Sequence, residues 1–434
     1  MFIKKYLNYF AIILIYSLLN ACSSSIKPIV EAQKTWQEQV QQSAVFSQNH
    51  TGFALYDLEK NEMVAQYNAE KYFTPASNTK LFSFYAGLSV LGDSIPAFRY
   101  RIAQDSLLIF PTGDPSFLHQ DLKITKAFSF LKNRSEQIYL QLNSPNLSYY
   151  GAGWAWDDYN DDYQPEISSF PLYGNIVRFR AGQPSIKYWQ TNLERNEPNT
   201  TKIVRDFHTN AYTIPSKIRA NSVQDVAFKT SKALTISLLE DTLKKNISLL
   251  PLKTNQAKSK LFYSMPSDSL YKRMLQVSDN MLAEQLMVMV SGISTDTLST
   301  EKGIDFVIKN HLSDLPDAPQ WVDGSGLSRY NLFTPRSLVK LLQKIYAIVP
   351  QQRLFSLLAI GGKAGTLRNL YQEGEPFIYA KSGSLSNNYN LSGYLITKKN
   401  KVLIFSIMNN NYVKSTSEIR KEVERILTTL HNNY

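Results

Sequence analysis

Apolar and polar positions alternate along this chain with two different periods, and those periods sort it into strands and helices. Near the amino end, Gly52-Phe53-Ala54-Leu55-Tyr56-Asp57 and Met63-Val64-Ala65-Gln66-Tyr67 flank a polar, turn-prone stretch at 58–62. That arrangement predicts a hairpin. A helix-compatible segment at 30–42 precedes it, and a second helix is expected from about Ser77 to Leu91, stopped by Gly92-Asp93. At the other end, positions 389–396 and 401–408 read as strands, while Ile419, Val423, Ile426, Leu427 and Leu430 form one helical stripe. Both ends therefore carry α+β patterning. Between them, at 96–264, lies a stretch rich in Tyr, Asn and Asp with short alternating runs at 106–110 and 233–237, read as mostly β and loop. The expected organisation is one α+β domain formed by 22–95 and 265–434, an antiparallel sheet with flanking helices, interrupted by a β-rich insert at 96–264.

Length and charge narrow the picture only slightly. A chain of 434 residues can bury a large core and exceeds the usual single-domain size. Its formal charge is +11, which favours anionic surroundings without choosing among nucleic acid, lipid headgroups and wall polymers. The amino terminus says more. Lys4 and Lys5 precede an apolar run at 11–19 that ends in Asn20-Ala21-Cys22. This run is too short to span a bilayer and has the form of an export signal occupying 1–21. Cys22 is the only cysteine, and Leu19-Asn20-Ala21-Cys22 resembles a bacterial lipoprotein box, so Cys22 is the expected lipid attachment point and membrane anchor. Asn20 is unusual for such a box. No thiol then remains for a disulfide, a metal site or a nucleophile.

Three short segments carry candidate chemistry. In Thr74-Pro75-Ala76-Ser77-Asn78-Thr79-Lys80, Pro75 suits a helix start, and Ser77 and Lys80 lie three apart on one helical face. A serine hydroxyl needs an adjacent base to act as a nucleophile, and a desolvated lysine can supply one. Ser278-Asp279-Asn280 is a polar break before a helix-like run, which by itself also suits ordinary helix capping. Lys381-Ser382-Gly383-Ser384 sits just before a strand and by itself reads equally well as a solvated strand edge. The five histidines, at 50, 119, 208, 311 and 431, form no triad pattern.

Taken together and in this order, with Ser278 lying 201 positions after Ser77 and Lys381 a further 103 on, the three motifs resemble those of the penicillin-binding protein and serine β-lactamase superfamily. The long first gap is similar to that of low-molecular-mass class C penicillin-binding proteins, the D-alanyl-D-alanine carboxypeptidases and endopeptidases. Segments at 112–116, 153–159, 323–328 and 365–367 also look like parts of that family. The resemblance implies that Ser77 attacks the D-Ala-D-Ala carbonyl, Lys80 accepts its proton, and Ser278 and Asn280 assist the leaving amine and the substrate amide. It also implies that Lys381 and Ser382 meet the terminal carboxylate, that Gly383 and Ser384 complete the substrate edge, and that the Ser77 and Ser384 N–H groups form the oxyanion site. Asp158 would pair with an amino group of the stem peptide. The implied partners are peptidoglycan stem peptides and β-lactams, with no metal, no organic cofactor and no nucleic acid; the implied place is the cell envelope or periplasm, and homodimer formation is left open.

Two departures accompany the resemblance. Ser382 stands where the family more often has threonine, and the segment 170–175 matches the usual asparagine-rich segment poorly. The competing expectations are a β-lactamase or esterase on the same fold and a catalytically silent, lipid-anchored wall-binding protein.

Overall fold

The computed structural model describes residues 35–142, 144–195, 202–251, 254 and 256–434. The expected signal segment, Cys22 and the first part of the helix-compatible stretch lie outside these residues; what is described of that stretch is the helix Trp36–Gln41. Among the described residues no helix is long and apolar enough to cross a membrane.

The two ends of the chain meet in one six-stranded antiparallel sheet. Its strand order is Ala359–Ile360, Ile378–Leu385, Asn388–Ile396, Val402–Asn410, His50–Asp57 and Glu62–Tyr67. The hairpin expected at 52–67 is present, and its first strand, which begins at His50, pairs with the last strand of the chain from His50 opposite Asn410 to Asp57 opposite Leu403. Period-two patterning sends alternate residues into two separate cores. Phe53, Leu55, Leu403, Phe405 and Ile407 pack with the C-terminal helix Thr416–Asn433, whose buried stripe is Ile419, Val423, Ile426, Leu427 and Leu430. Ala54, Tyr56, Ile404 and Met408 face the other core, which holds the helices Thr79–Val90, Asn280–Ser294 and Pro335–Ile348.

Thr79–Val90 is buried from Thr79 through Gly87 on every side, as suits a helix threaded through a core rather than laid on it. Burial of its whole first turn removes Lys80 from water.

The middle of the chain forms three further sheets. A mixed five-stranded sheet runs Ile247–Leu249, Gln137–Leu140, Ser106–Pro111, Ser94–Ala103 and Lys260–Pro266. Two three-stranded sheets combine Leu193–Arg195, Tyr212–Ile214 and Val204–Arg205, and Val223–Ala227, Ile176–Arg180 and Gln183–Pro184. They share a core built on Phe98, Ile109, Val177, Trp189 and Tyr212.

One element differs from its sequence reading. The run 233–237 is not β: it lies in the helix Lys232–Leu243. Ser231 caps that helix by accepting a hydrogen bond from the Leu234 N–H at 3.1 Å, and burial falls on Leu238, Leu239 and Leu243. The apparent alternation was too short to outweigh a cap followed by three leucines at helical spacing.

Candidate active site

The sequence Thr74 to Lys80 starts its helix in an unusual way. Ala76–Asn78 is a single 3₁₀ turn, and Ala76 has φ +48°, a left-handed conformation that costs a non-glycine residue of order 1–3 kcal/mol. Two glycines hold it there. A Cβ on Gly326, itself at φ +82°, would lie 1.9 Å from the Ala76 carbonyl oxygen, and a Cβ on Gly383 would lie 2.5 Å from the Pro75 oxygen and 3.0 Å from the Ser77 nitrogen. The turn carrying Ser77 is therefore clamped between the loop at 323–328 and the strand Ile378–Leu385. Asn78 adds a side-chain tie, donating to Ser392 Oγ on the neighbouring strand at 2.9 Å.

Lys80 Nζ lies 3.0 Å from Ser77 Oγ, donates to Asn280 Oδ1 at 2.6 Å and to the Ser325 carbonyl at 2.7 Å. The lysine is fully buried. Desolvation pushes its pKa down to about 8, against the opposing pull of the carboxylates of Asp323, Glu284 and Asp279. The 3.0 Å separation is within proton-transfer reach of the serine hydroxyl.

The second motif forms between two helices. Ser267–Gln276 ends at its cap residue Val277, Ser278 takes φ +65°, and Asp279 caps Asn280–Ser294 by accepting from the Leu282 N–H at 3.2 Å. Asp279, not Ser278, is thus the cap, which leaves the Ser278 hydroxyl for Lys381 Nζ at 2.9 Å. Lys381 also donates to the Ser382 carbonyl at 2.7 Å. Its pKa is held well below the ordinary lysine value by burial first and by the Lys80 charge second. The Ser382 hydroxyl is 2.7 Å from Thr366 Oγ1, and Ser384 is exposed two residues further along the strand. Ser77, Lys80, Ser278, Asn280, Lys381 and Ser382 are in this way joined in one cluster, with Gly383 packed against the Ser77 turn.

Asp158 sits at the rim, in the 3₁₀ turn Trp156–Asn160. It reaches the cleft only through Tyr163, whose hydroxyl donates to Asp158 Oδ1 at 2.8 Å and whose carbonyl accepts from Asn280 Nδ2 at 2.9 Å.

Several residues that shape the site were given no role from sequence. Glu284, one helical turn after Asn280, is buried and accepts the N–H groups of Gly324 and Ser325 at 3.0 and 2.7 Å. Asp323 accepts those of Gly326 and Ser328 at 2.8 and 2.6 Å and the Trp154 indole N–H at 2.9 Å. These two carboxylates fold the loop that aims the Ser325 carbonyl at Lys80. Burial and the neighbouring Asp323 charge push the Glu284 carboxyl upward. The i, i+4 spacing of Asn280 and Glu284 and the density of Gly and Asp at 323–326 were the available signals. A further ion-pair chain runs to the second motif from the middle sheets: Arg273 pairs with Asp279 at 2.9 Å and with Asp121 at 2.8 Å, and Arg178 bridges Asp121 and Asp225 at 2.7 and 2.6 Å. Among the described residues no cluster of His, Asp and Glu is arranged to hold a metal.

Residues 32–430 match the model of the D-Ala-D-Ala carboxypeptidase 3 (S13) family. The D-alanyl-D-alanine carboxypeptidase DacB of Haemophilus influenzae is 23% identical over 442 residues, covering 87% of this chain and 88% of its own. A D-alanyl-D-alanine carboxypeptidase of an Actinomadura species is 25% identical over 425 residues, covering 83% of this chain and 78% of its own. The fold is similar to the crystal structure of penicillin binding protein 4 from Haemophilus influenzae, with a TM-score of 0.72 and 20% identity over 92% of this chain and 98% of that one.

Proposed function

Since the chain belongs to the D-Ala-D-Ala carboxypeptidase 3 (S13) family, the low-molecular-mass class C penicillin-binding proteins, and is a serine-type hydrolase of peptidoglycan, we propose that Ser77 is its nucleophile and Lys80 the base. The observation that carries this reading is the buried Ser77–Lys80 pair at 3.0 Å, with the lysine brought down to about 8. Ser77 Oγ attacks the carbonyl between the two D-alanines while its proton moves to Lys80 Nζ. The oxyanion is held by the N–H groups of Ser77 and Ser384, an arrangement typically worth about 10²–10³ in rate per donor. The C–N bond then breaks, Ser278 passes a proton to the departing amine, and D-alanine or the cross-linking amine leaves. Water hydrolyses the ester and restores Ser77.

Asn280 holds Lys80 through its carbonyl and orients the substrate amide. Lys381 and Ser382 receive the terminal carboxylate, and Asp158 takes the free amino group of the stem peptide's diamino acid. A β-lactam enters the same route and leaves an acyl group on Ser77. In this reading 22–95 and 265–434 form the catalytic domain, 96–264 is inserted into it, and export with lipidation at Cys22 places the enzyme at a membrane of the cell envelope.

Release of D-alanine from a stem pentapeptide tests the proposal. The parent protein releases it, and Ser77→Ala reduces the rate by at least about 10³, in line with loss of a covalent nucleophile. Equal rates in the two proteins would remove Ser77 from the mechanism.

A further inference from the structure

Flanking the Asp158 turn is a half-open cavity of about 210 Å³ lined by Trp154, Trp156, Tyr159, Phe207, Arg205 and Lys229. Its walls are rings set edge to face: Phe207 meets Tyr159 at 4.9 Å and 87°, and Trp156 at 6.3 Å and 82°. Trp156 is 75% exposed and Phe207 45% exposed, so two large apolar surfaces stand open at the mouth. Trp156 and Phe207 are adjacent rings, and a contiguous exposed apolar patch marks a binding surface.

The cavity is also held in shape. Arg205 is fully buried, its guanidinium lies 5.1 Å from the Tyr159 ring centre, and it donates to the carbonyls of Tyr159, Asp206, Thr209 and Ala227. Tyr159 returns a hydrogen bond to the Arg205 carbonyl at 3.2 Å. Lys229, partly exposed, supplies a charged donor at the edge, 3.9 Å from Glu166.

Rigid aromatic walls with a cationic, hydrogen-bonding edge suit a flat ring that has C–H groups on its face and polar groups around its rim. A pyranose is such a ring, because its C–H hydrogens are electropositive and the aromatic face is electronegative.

The position selects the sugar. Trp154, which lines the cavity, is bonded to Asp323 in the loop that serves Lys80, and Asp158 lies between Trp156 and Tyr159 in sequence. In peptidoglycan two residues separate the diamino acid from the amino sugar, so three chain steps join them, an extended span of roughly 10 Å. Resting on the peptidoglycan-hydrolase reading above, we propose that this cavity is a glycan subsite: it takes the face of the N-acetylated amino sugar that carries the stem peptide, stacked on Trp156 and Phe207.

The test compares hydrolysis of a free stem pentapeptide with the same peptide attached to its N-acetylated disaccharide. In the parent protein the sugar lowers KM at least about fivefold. Trp156→Ala, and separately Phe207→Ala, bring the ratio of the two KM values close to one. An unchanged ratio, or equal losses on both substrates as a peptide-binding cavity would give, overturns the proposal. Should the parent hydrolyse neither substrate, the hydrolase reading itself fails. The subsite is then judged by titrating the peptide-free disaccharide and following tryptophan fluorescence: a saturating change in the parent that Trp156→Ala abolishes supports it, and no change in the parent overturns it.

Discussion

In the proposed mechanism the state of Lys80 sets the pH dependence of acylation. Its ammonium form has no lone pair to receive the Ser77 proton, so only the neutral fraction is productive. With the pKa brought by burial from 10.5 to about 8, roughly one molecule in ten is neutral at pH 7, against roughly one in three thousand for an ordinary lysine. Burial therefore raises the productive fraction about 300-fold at neutral pH. The direction follows from the charge: desolvation disfavours the ammonium, so a lowered pKa moves the productive range down toward neutrality. The assay is the second-order rate constant for covalent labelling by a fluorescent penicillin between pH 5.5 and 9.5. The expected profile rises about tenfold per pH unit on the acid side and bends to a plateau near 8. A profile that is flat across this range, or that climbs without bending to 9.5, would refute the assignment of Lys80 as a base made reactive by burial.

Three other outcomes follow from the geometry. Gly326→Ala places a methyl group 1.9 Å from the Ala76 carbonyl oxygen, which must shift the Ser77 turn, and penicillin labelling is expected to slow by about 10² or more while far-ultraviolet circular dichroism stays native. Arg273→Ala leaves Asp279 and Asp121 without their shared guanidinium, so labelling falls about tenfold with an unchanged acid limb in the pH profile, and Arg273→Lys recovers part of it. A shifted acid limb would mean that Arg273 acts on the charge of Lys80 and not on the position of the Ser278 loop. Ser231→Ala removes the cap of Lys232–Leu243 and costs about 1 kcal/mol in a denaturant titration, leaving labelling unchanged.

The parts of the fold legible in sequence are those whose patterning repeats over enough residues. The hairpin at 52–67 and the strands at 389–396 and 401–408 send alternate residues into two cores, the stripe at 419–430 presents one apolar face to one core, and a single period describes each. The run 233–237 shows the opposite case. Five residues are shorter than two helical turns, and the deciding features, the Ser231 cap and the leucines after 237, lay at its edges.

The site divides in a similar way. Candidate Ser, Lys and Asn residues could be named because three short motifs, in order, resemble those of a known family. The residues that aim them could not. Glu284 acts through backbone N–H groups far away in sequence, Asp323 ties its own loop to the distant Trp154 indole, and Gly326 and Gly383 matter because two distant segments press on one turn. Such contacts are created by tertiary packing and leave no local period. Asp158 lies between these cases, since the cleft reaches it only through Tyr163.

The central claim is that Ser77 forms the acyl-enzyme. Protein lacking residues 1–22, incubated with penicillin and measured by intact mass followed by peptide mapping, tests it most directly. A one-to-one adduct mapped to Ser77 is expected in the parent and none in Ser77→Ala. An adduct of the same yield in the variant, or no adduct in folded parent protein, would contradict it.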